Sequence, residues 1–467
     1  MVRRRQRERS LFEVLLPDGH KLWPDWLRRI DTLLEDEAVL EVVAQALEAR
    51  WPQSRRRGRP GTPAEVVLRM LVLKHLFDWS YDDLEQEVRA NLVYRAFTRI
   101  DAGTVPDAKT ILKIAGALGP EVIEQLHRQV VEVAKRAGVT RGRRFRLDTT
   151  VVETNVHYPT DSTLLQDGVR VVTRTMQRAS RALGDQPGRV RNRLRSVTRA
   201  VLTIGYQARS PKTRDALVQS YRTLMATTRA VLRDADTMVR RLNQRRRTAT
   251  GAIAPVLQRA QQHLQQMRPL LERVVAQTRA RVLGGNTHVP DKVLSLFEPH
   301  TTTIRKGKMS KPNEFGNLVT IQEAEHQIIT GYDVHAGRPA DVTLWTPALD
   351  RHQAIFQRAP YLAAGDRGFS SAANEQAATD RGVRRVILPR RGPKSIARRA
   401  HERQRWFRRG QRWRVGCEGR ISVLKRRHGL RRCRYHGTDG MARWVGLGVI
   451  ADNLRSMATV LDARGAA

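Results

Sequence analysis

Phe145-Arg146-Leu147-Asp148-Thr149-Thr150-Val151-Val152-Glu153-Thr154 decides how this chain is read. Its β-branched residues mark a strand, entered through Arg141-Gly142-Arg143-Arg144 after helical texture over residues 1–140. The acid inside that strand is the unusual feature. A carboxylate carried into a core costs several kcal/mol unless it finds a partner, so Asp148 needs one. Side chains alternate across a strand. The spacing of five from Asp148 to Glu153 therefore puts the two acids on opposite faces and makes Glu153 the weaker candidate.

Upstream of the strand the signals are helical. After the basic stretch 55–60, Thr62-Pro63-Ala64-Glu65 predicts an N-cap, a first-turn proline and a capping-box acid for an apolar helix running through Phe77. Asp78-Trp79 breaks it, and Ser80-Tyr81-Asp82-Asp83 caps a shorter second helix. Two short helices around a tight turn suit a helix-turn-helix DNA reader. They equally suit a plain helical bundle used for packing or dimerisation, and the sequence leaves both open.

Downstream, residues 163–295 return to three- and four-residue apolar spacing, as in Val190, Leu194, Val197 and Val201, or Leu264, Met267, Leu271 and Val274. Strand texture resumes after Pro290. Residues 315–321 and 327–334 form a hairpin-like pair, a helix is expected over 345–357, and an apolar run from Ala359 ends at Gly365-Asp366. A helix at 370–381, a strand at 383–388 and a basic helix at 398–428 follow. Strand, hairpin, helix, strand, helix, strand, helix describes a mixed α/β domain split by a helical insertion after its first strand. The expected organisation is a helical N-terminal domain at 1–140, an α/β domain at 141–162 plus 296–467, and a basic helical insertion at 163–295. No internal repeat is visible.

Charge bounds the function. The 467 residues hold 85 Lys and Arg against 46 Asp and Glu, a net +39, which attracts a polyanion: nucleic acid first, an anionic membrane surface as the weaker alternative. Residues 171–285 alone carry 24 basic residues against five acids. A solvated face normally mixes both signs, so the insertion is expected to contact phosphates, although a merely solubilising role fits as well. Two cysteines exclude a disulfide framework and suit a reducing compartment. The basic start at residues 1–10 has no apolar core behind it, and no stretch is long and apolar enough for a membrane span. A cytoplasmic protein with no membrane partner is expected.

Three acids stand where a metal site would need them: Asp148 in the first strand, Asp366 directly after an apolar strand, and Glu418 on the last basic helix. Carboxylates meeting over Mg²⁺ or Mn²⁺ give the oxygen coordination these ions prefer. Two such ions can assist both the attacking and the leaving oxygen in phosphoryl transfer. On the helix, at about 100° per residue, Arg414 lies roughly 40° from Glu418 and Lys425 roughly 20° on its other side. The stripe can hold a metal between two phosphate-gripping cations. Plain alternatives remain for each: Asp148 paired with Arg144 and Arg146, Asp366 as a turn residue between two glycines, and the stripe as a solvated ion-pair ladder.

The order Asp148-Thr149-Thr150, Glu314-Phe315-Gly316, Tyr361 through Gly365-Asp366-Arg367-Gly368-Phe369, then Arg414-Val415-Gly416-Cys417-Glu418 and Lys425 resembles the DDE transposases of bacterial insertion sequences, in particular the ISNCY group. In a related branch the last helix carries a tyrosine, arginine, glutamate, lysine signature. Arg414, Glu418 and Lys425 match it, whereas Gln411 stands at the tyrosine position. Residues 60–115, Tyr435-His436-Gly437 and Asp452-Asn453-Leu454 resemble other parts of the same proteins. The resemblance implies an RNase H-like α/β catalytic domain in which Asp148, Asp366 and Glu418 bind two Mg²⁺ ions, with Mn²⁺ as a substitute, while Arg414 and Lys425 steady the DNA. It implies cleavage at the ends of an insertion element and joining of the 3′-hydroxyl to target DNA. The expected partners are double-stranded terminal inverted repeats, target DNA and a second protomer, in the nucleoid of a bacterial cytoplasm. The alternatives are a catalytically inactive DNA-binding relative and an RNase H-like nuclease without strand transfer.

Lesser features are expected to be structural. Cys417, His428, Cys433 and His436 are spaced too irregularly for a zinc site. Asp341 is expected to cap a helix beginning near Thr343, Asp333 and Glu323 to be ordinary strand and turn residues, and Trp413 and Trp444 to lie in core or interface.

Overall fold

The computed structural model describes residues 3–5, 19–50, 61–100, 103–246, 251, 253–305 and 312–465. The basic stretch 55–60 and most of residues 1–10 lie outside them. Two compact units are present, Met1–Asn155 with Ile304–Ala467, and Val156–Thr303.

The first unit is mixed α/β around a six-stranded mixed sheet. Strand β1 (Arg144–Glu153) is central: it runs antiparallel to β3 (Glu314–Glu323), with Asp148 opposite Ile321, and parallel to β5 (Leu362–Ala364). Beyond β5 lies parallel β6 (Arg385–Ile387). Beyond β3 lie β2 (Thr302–Ile304) and antiparallel β4 (Ile329–His335).

Strand parity sorts the residues of β1 between two helical layers. Phe145 and Leu147 pack against Trp345 and Leu349 of α12 (Asp341–Phe356) and Ala378 of α13 (Ala372–Asp380). Val152 packs the other way, with Leu424 of α15 (Arg405–Arg427) and with Trp444, Val445 and Val449 of α16 (Gly437–Gly465). Arg146 and Asp148 share the parity of Val152 and so face α15. The basic helix expected over 398–428 is two helices, because Gln404 leaves the helical region with ψ 141° and separates α14 (Ile396–Arg403) from α15.

The N-terminal helices α1 (Asp25–Leu33), α2 (Glu37–Ala49), α3 (Ala64–Leu76), α4 (Tyr81–Ala90), α5 (Leu92–Phe97), α6 (Ala108–Ala115) and α7 (Pro120–Arg136) share one core with Leu447, Ile450, Leu454 and Met457 of α16. Helix α3 is buried along its whole length, Arg69, Lys74 and His75 included. Neighbouring α4 carries Asp82, Asp83, Glu85 and Glu87 against Arg89. The segment thus sets a fully buried helix beside an acidic one. The capping box of Ser80 and Asp83 forms. The cap expected from Thr62 does not: Pro63 is the N-cap, and the amides of Ala64 and Glu65 donate instead to the carbonyls of Arg3 and Arg4 at 2.8 and 3.1 Å. Glu65 turns inward to pair with Arg69.

The second unit consists of α8 (Asp161–Ala182), α9 (Leu194–Gln207), α10 (Arg214–Arg246) and α11 (Ile253–Val282) around its own apolar cluster, with Val172, Val231, Leu242 and Leu271 at its centre. Many of its arginines, among them Arg174, Arg195, Arg222, Arg229 and Arg273, are exposed. Among the described residues no helix is long and apolar enough to cross a membrane.

Candidate active site

A cleft of about 700 Å³ opens at the C-terminal ends of β1 and β5, the end of a parallel pair where ligands of α/β sheets usually bind. Its lining includes Asp148, Asp366, Arg414, Glu418 and Lys425, all five residues singled out in the sequence.

The sheet register explains how Asp148 and Asp366 come together. Arg146 pairs with Ala364 across the parallel strands, and two residues further along each chain stand Asp148 and Asp366. The Asp148 carboxylate is largely buried, and its Oδ1 accepts the backbone N–H of Thr149 at 2.8 Å. Asp366 Oδ1 accepts the N–H of Gly368 at 2.6 Å, closing a tight turn. A Cβ at Gly368 would stand 2.4 Å from Asp341 Oδ2 and 2.8 Å from Asp366 Oδ1, so glycine is what lets two carboxylates flank that turn.

Helix α15 forms the opposite wall. Gln411, Arg414, Glu418, Ser422 and Lys425 line the cleft at helical spacing. The helix can lie close to the sheet because a Cβ at Gly410 would meet Ile387 at 2.6 Å and one at Gly416 would meet Arg146 Nη1 at 2.6 Å. Next to the second of these glycines Cys417 is fully buried, and burial, then the charges of Glu323 and Asp148, push its thiol well above the usual range.

Arg414 joins the two walls. Its Nη2 donates to Glu418 Oε1 at 2.8 Å, and its Nη1 lies 3.7 Å from Asp148 Oδ2. The guanidinium is mostly buried and Asp148 with it, whereas the Glu418 carboxylate is 60% exposed. The Arg146 expected beside Asp148 pairs instead with Glu323 and donates to the carbonyl of Trp413. Glu323 is fully buried, and burial pushes its pKa up against the pull of Arg146. It is thus part of a buried ion pair, not an ordinary turn acid, while Asp333 holds Arg351 at 2.6 Å as a strand residue.

Three residues named in the sequence, but not as part of the site, lie at or beside the cleft. Asp341, expected as a cap, is instead the first residue of α12, whose N-cap is Ala340. Its Oδ1 accepts from the Thr149 hydroxyl at 3.4 Å, and its Oδ2 borders the Gly368 turn that Asp366 closes. Its one legible signal was an acid in a first helical turn, which favours the helix dipole anywhere. Glu314, at the start of β3, is buried in the cleft wall. Gln411 sits in the α15 wall, with its Nε2 buried and lacking an acceptor among the described residues.

Among the described residues no three His, Cys, Asp or Glu side chains are drawn close enough to hold a metal ion; Cys417, His428, Cys433 and His436 do not assemble, and Cys417 and Cys433 are buried thiols not joined in a disulfide. The donor chemistry of the cleft is all oxygen, which suits a hard divalent cation. The Asp452-Asn453 pair has other work: Asp452 accepts from Arg420, and Asn453 brackets the backbone of Ile329 with bonds of 2.8 Å to its N–H and its carbonyl.

Two family models match the chain: the transposase domain DUF772 over residues 12–115, and a transposase DDE domain over residues 375–458. The second contains Arg414, Glu418 and Lys425; Asp148 and Asp366 lie outside both. No curated protein and no solved structure matches the chain.

Proposed function

We propose that this chain, a DDE transposase of an insertion element by its two transposase domains, cuts the ends of its element by phosphodiester hydrolysis and joins the freed 3′-hydroxyl to target DNA. The observation that carries the reading is the convergence of Asp148, Asp366 and Glu418, from three separate parts of the chain, on one cleft shared with Arg414 and Lys425. The central strand flanked by an antiparallel and a parallel neighbour, with a helical unit inserted after it, supports an RNase H-like catalytic fold.

Asp148, Asp366 and Glu418 would hold divalent cations, Mg²⁺ or Mn²⁺ and two in number, which when bound lower the pKa of a coordinated water or hydroxyl and stabilise the leaving oxygen. The residues do the rest. Thr149 N–H and Gly368 N–H each donate to one carboxylate oxygen, which fixes how Asp148 and Asp366 face the cleft. Arg414 holds Glu418 in place, and a guanidinium fork and an ammonium on one helical stripe suit the phosphates on either side of the scissile bond.

Residues 1–140 and the basic insertion 163–295 are assigned to holding the terminal inverted repeats and a second protomer, so that a homodimer or larger assembly pairs two ends at the bacterial nucleoid. Incubation of the protein with linear DNA carrying the element ends, with and without Mg²⁺, tests the reading. Breaks at the element boundary that need Mg²⁺ and Asp148 support it, and tight binding without such breaks overturns it.

A further inference from the structure

Helix α15 has a second cleft on its other flank, about 660 Å³ in volume, walled by Trp26 of α1, by Arg420, Arg426 and Arg427, and by Arg455 of α16. Four guanidinium groups and two histidines line it, and no carboxylate does. Asp452 lies behind the wall, fully buried and already engaged by Arg420. Arg455 lies over the Trp26 ring with its Cζ 3.9 Å from the centroid, and its Nη1 is buried with no acceptor among the described residues. Burial and then the charge of Arg427 pull the basicity of Arg455 below its ordinary value. Cations gathered with no carboxylate among the lining residues are held against their mutual repulsion, and an anion between them relieves it. A guanidinium held over an indole face is fixed in place by the ring and not by a carboxylate, and its N–H donors suit a phosphate.

Arg426 borders both clefts. We propose that the arginine cleft binds a backbone phosphate of the DNA strand that leaves the carboxylate cleft past Arg426, making α15 a shared wall with chemistry on one flank and strand anchoring on the other. The phosphate chemistry stands on the arginines; its assignment to DNA rests on the transposase reading above.

The test measures affinity of the full chain for a labelled duplex carrying an element end, by anisotropy, across a range of salt. Removing one phosphate-binding cation lowers the slope of log affinity against log salt by about one. Arg427→Gln and Arg455→Gln are each expected to lower it so, whereas Arg381→Gln, which removes an arginine at the end of α13 paired with Asp350 and remote from both clefts, leaves it unchanged. Arg427 is exposed, so its variant carries the test if Arg455→Gln fails to fold. A slope for Arg427→Gln equal to that of Arg381→Gln would overturn the proposal. Inorganic phosphate separates the sources: if it raises the melting temperature of the wild type and not of Arg427→Gln, yet the DNA slopes agree, the cleft serves free phosphate and the assignment to DNA fails. Loss of metal-dependent cleavage in the wild type would sink the transposase mechanism and still leave the slope comparison readable; normal cleavage with unaltered slopes sinks the second cleft alone.

Discussion

Arg414 donates from Nη2 to Glu418 Oε1 at 2.8 Å across one turn of α15, while the same guanidinium reaches toward Asp148 on the central strand. The pair ties a mostly exposed carboxylate to a mostly buried one through a planar fork. A lysine is a point charge and cannot hold two acids at once in this way. Arg414→Lys is therefore expected to lower the rate of strand cleavage about tenfold to a hundredfold, a range set by the rate effects of misplaced catalytic groups, with duplex binding changed far less. Equal rates for the variant and the wild type would show that Arg414 is a structural ion-pair partner only.

Asp341 stands at the start of α12 beside Thr149 and shares the Gly368 turn with Asp366. Asp341→Asn keeps its size and removes its charge. The expected result is cleavage slowed by at least about tenfold, as befits a group that positions catalytic carboxylates, with an unchanged melting temperature. Unaltered cleavage would leave Asp341 as a helix-dipole residue.

Gly416 is a packing requirement. A methyl group there stands 2.6 Å from Arg146 Nη1 and would push Arg146 out of its pairing with the fully buried Glu323. Overpacking costs about 1–3 kcal/mol, and a broken buried pair about 3–5 kcal/mol. Gly416→Ala is expected to destabilise the fold by at least about 2 kcal/mol in denaturant titration, and a loss below about 0.5 kcal/mol, the scatter of surface substitutions, would contradict the placement of α15.

Lys74 lies within a cage of Tyr81, Tyr435 and Trp444, its Nζ 4.7 to 5.4 Å from the three ring centroids. Burial, then the charge of Arg434, lowers its pKa from 10.5 to about 7, against opposing pulls from Asp78 and Asp83. The unfolded chain thus binds the proton more tightly than the folded one. Between pH about 7 and 10.5 this lysine adds stability as pH rises, by at most about 1.4 kcal/mol per unit. Melting temperatures at pH about 7 and about 9.5, both within that window, should differ less in Lys74→Met than in the wild type, and identical differences would exclude the effect.

What the sequence disclosed was local. The β-branched run around Asp148, the Ser80 capping box and the stripe of Arg414, Glu418 and Lys425 each rest on residues within a few turns or one strand of each other, and each is present. What it concealed depends on distance along the chain. Arg146 lies two residues from Asp148 on the same face of β1 but pairs with Glu323, 177 residues away, because strand pairing brings that acid opposite. Asp341 reads as a cap until β1 places Thr149 beside it from 192 residues away. The amides of Ala64 and Glu65 look as though they need a side-chain cap until the carbonyls of Arg3 and Arg4 meet them. The helices at 1–140 carry no sign that they share a core with α16, since apolar spacing names a buried face and not its partner.

The central claim, that three carboxylates gathered in one cleft perform metal-dependent cleavage of DNA, is tested most directly by Asp366→Asn. The variant and the wild type are incubated with linear DNA bearing the element ends, with Mg²⁺ or with chelator, and both strand breaks and end binding are measured. Breaks at the element boundary are expected for the wild type with Mg²⁺ only, and none for the variant, whose end binding stays close to wild type. Cleavage by Asp366→Asn at the wild-type rate, or breaks that persist in chelator, would contradict the account.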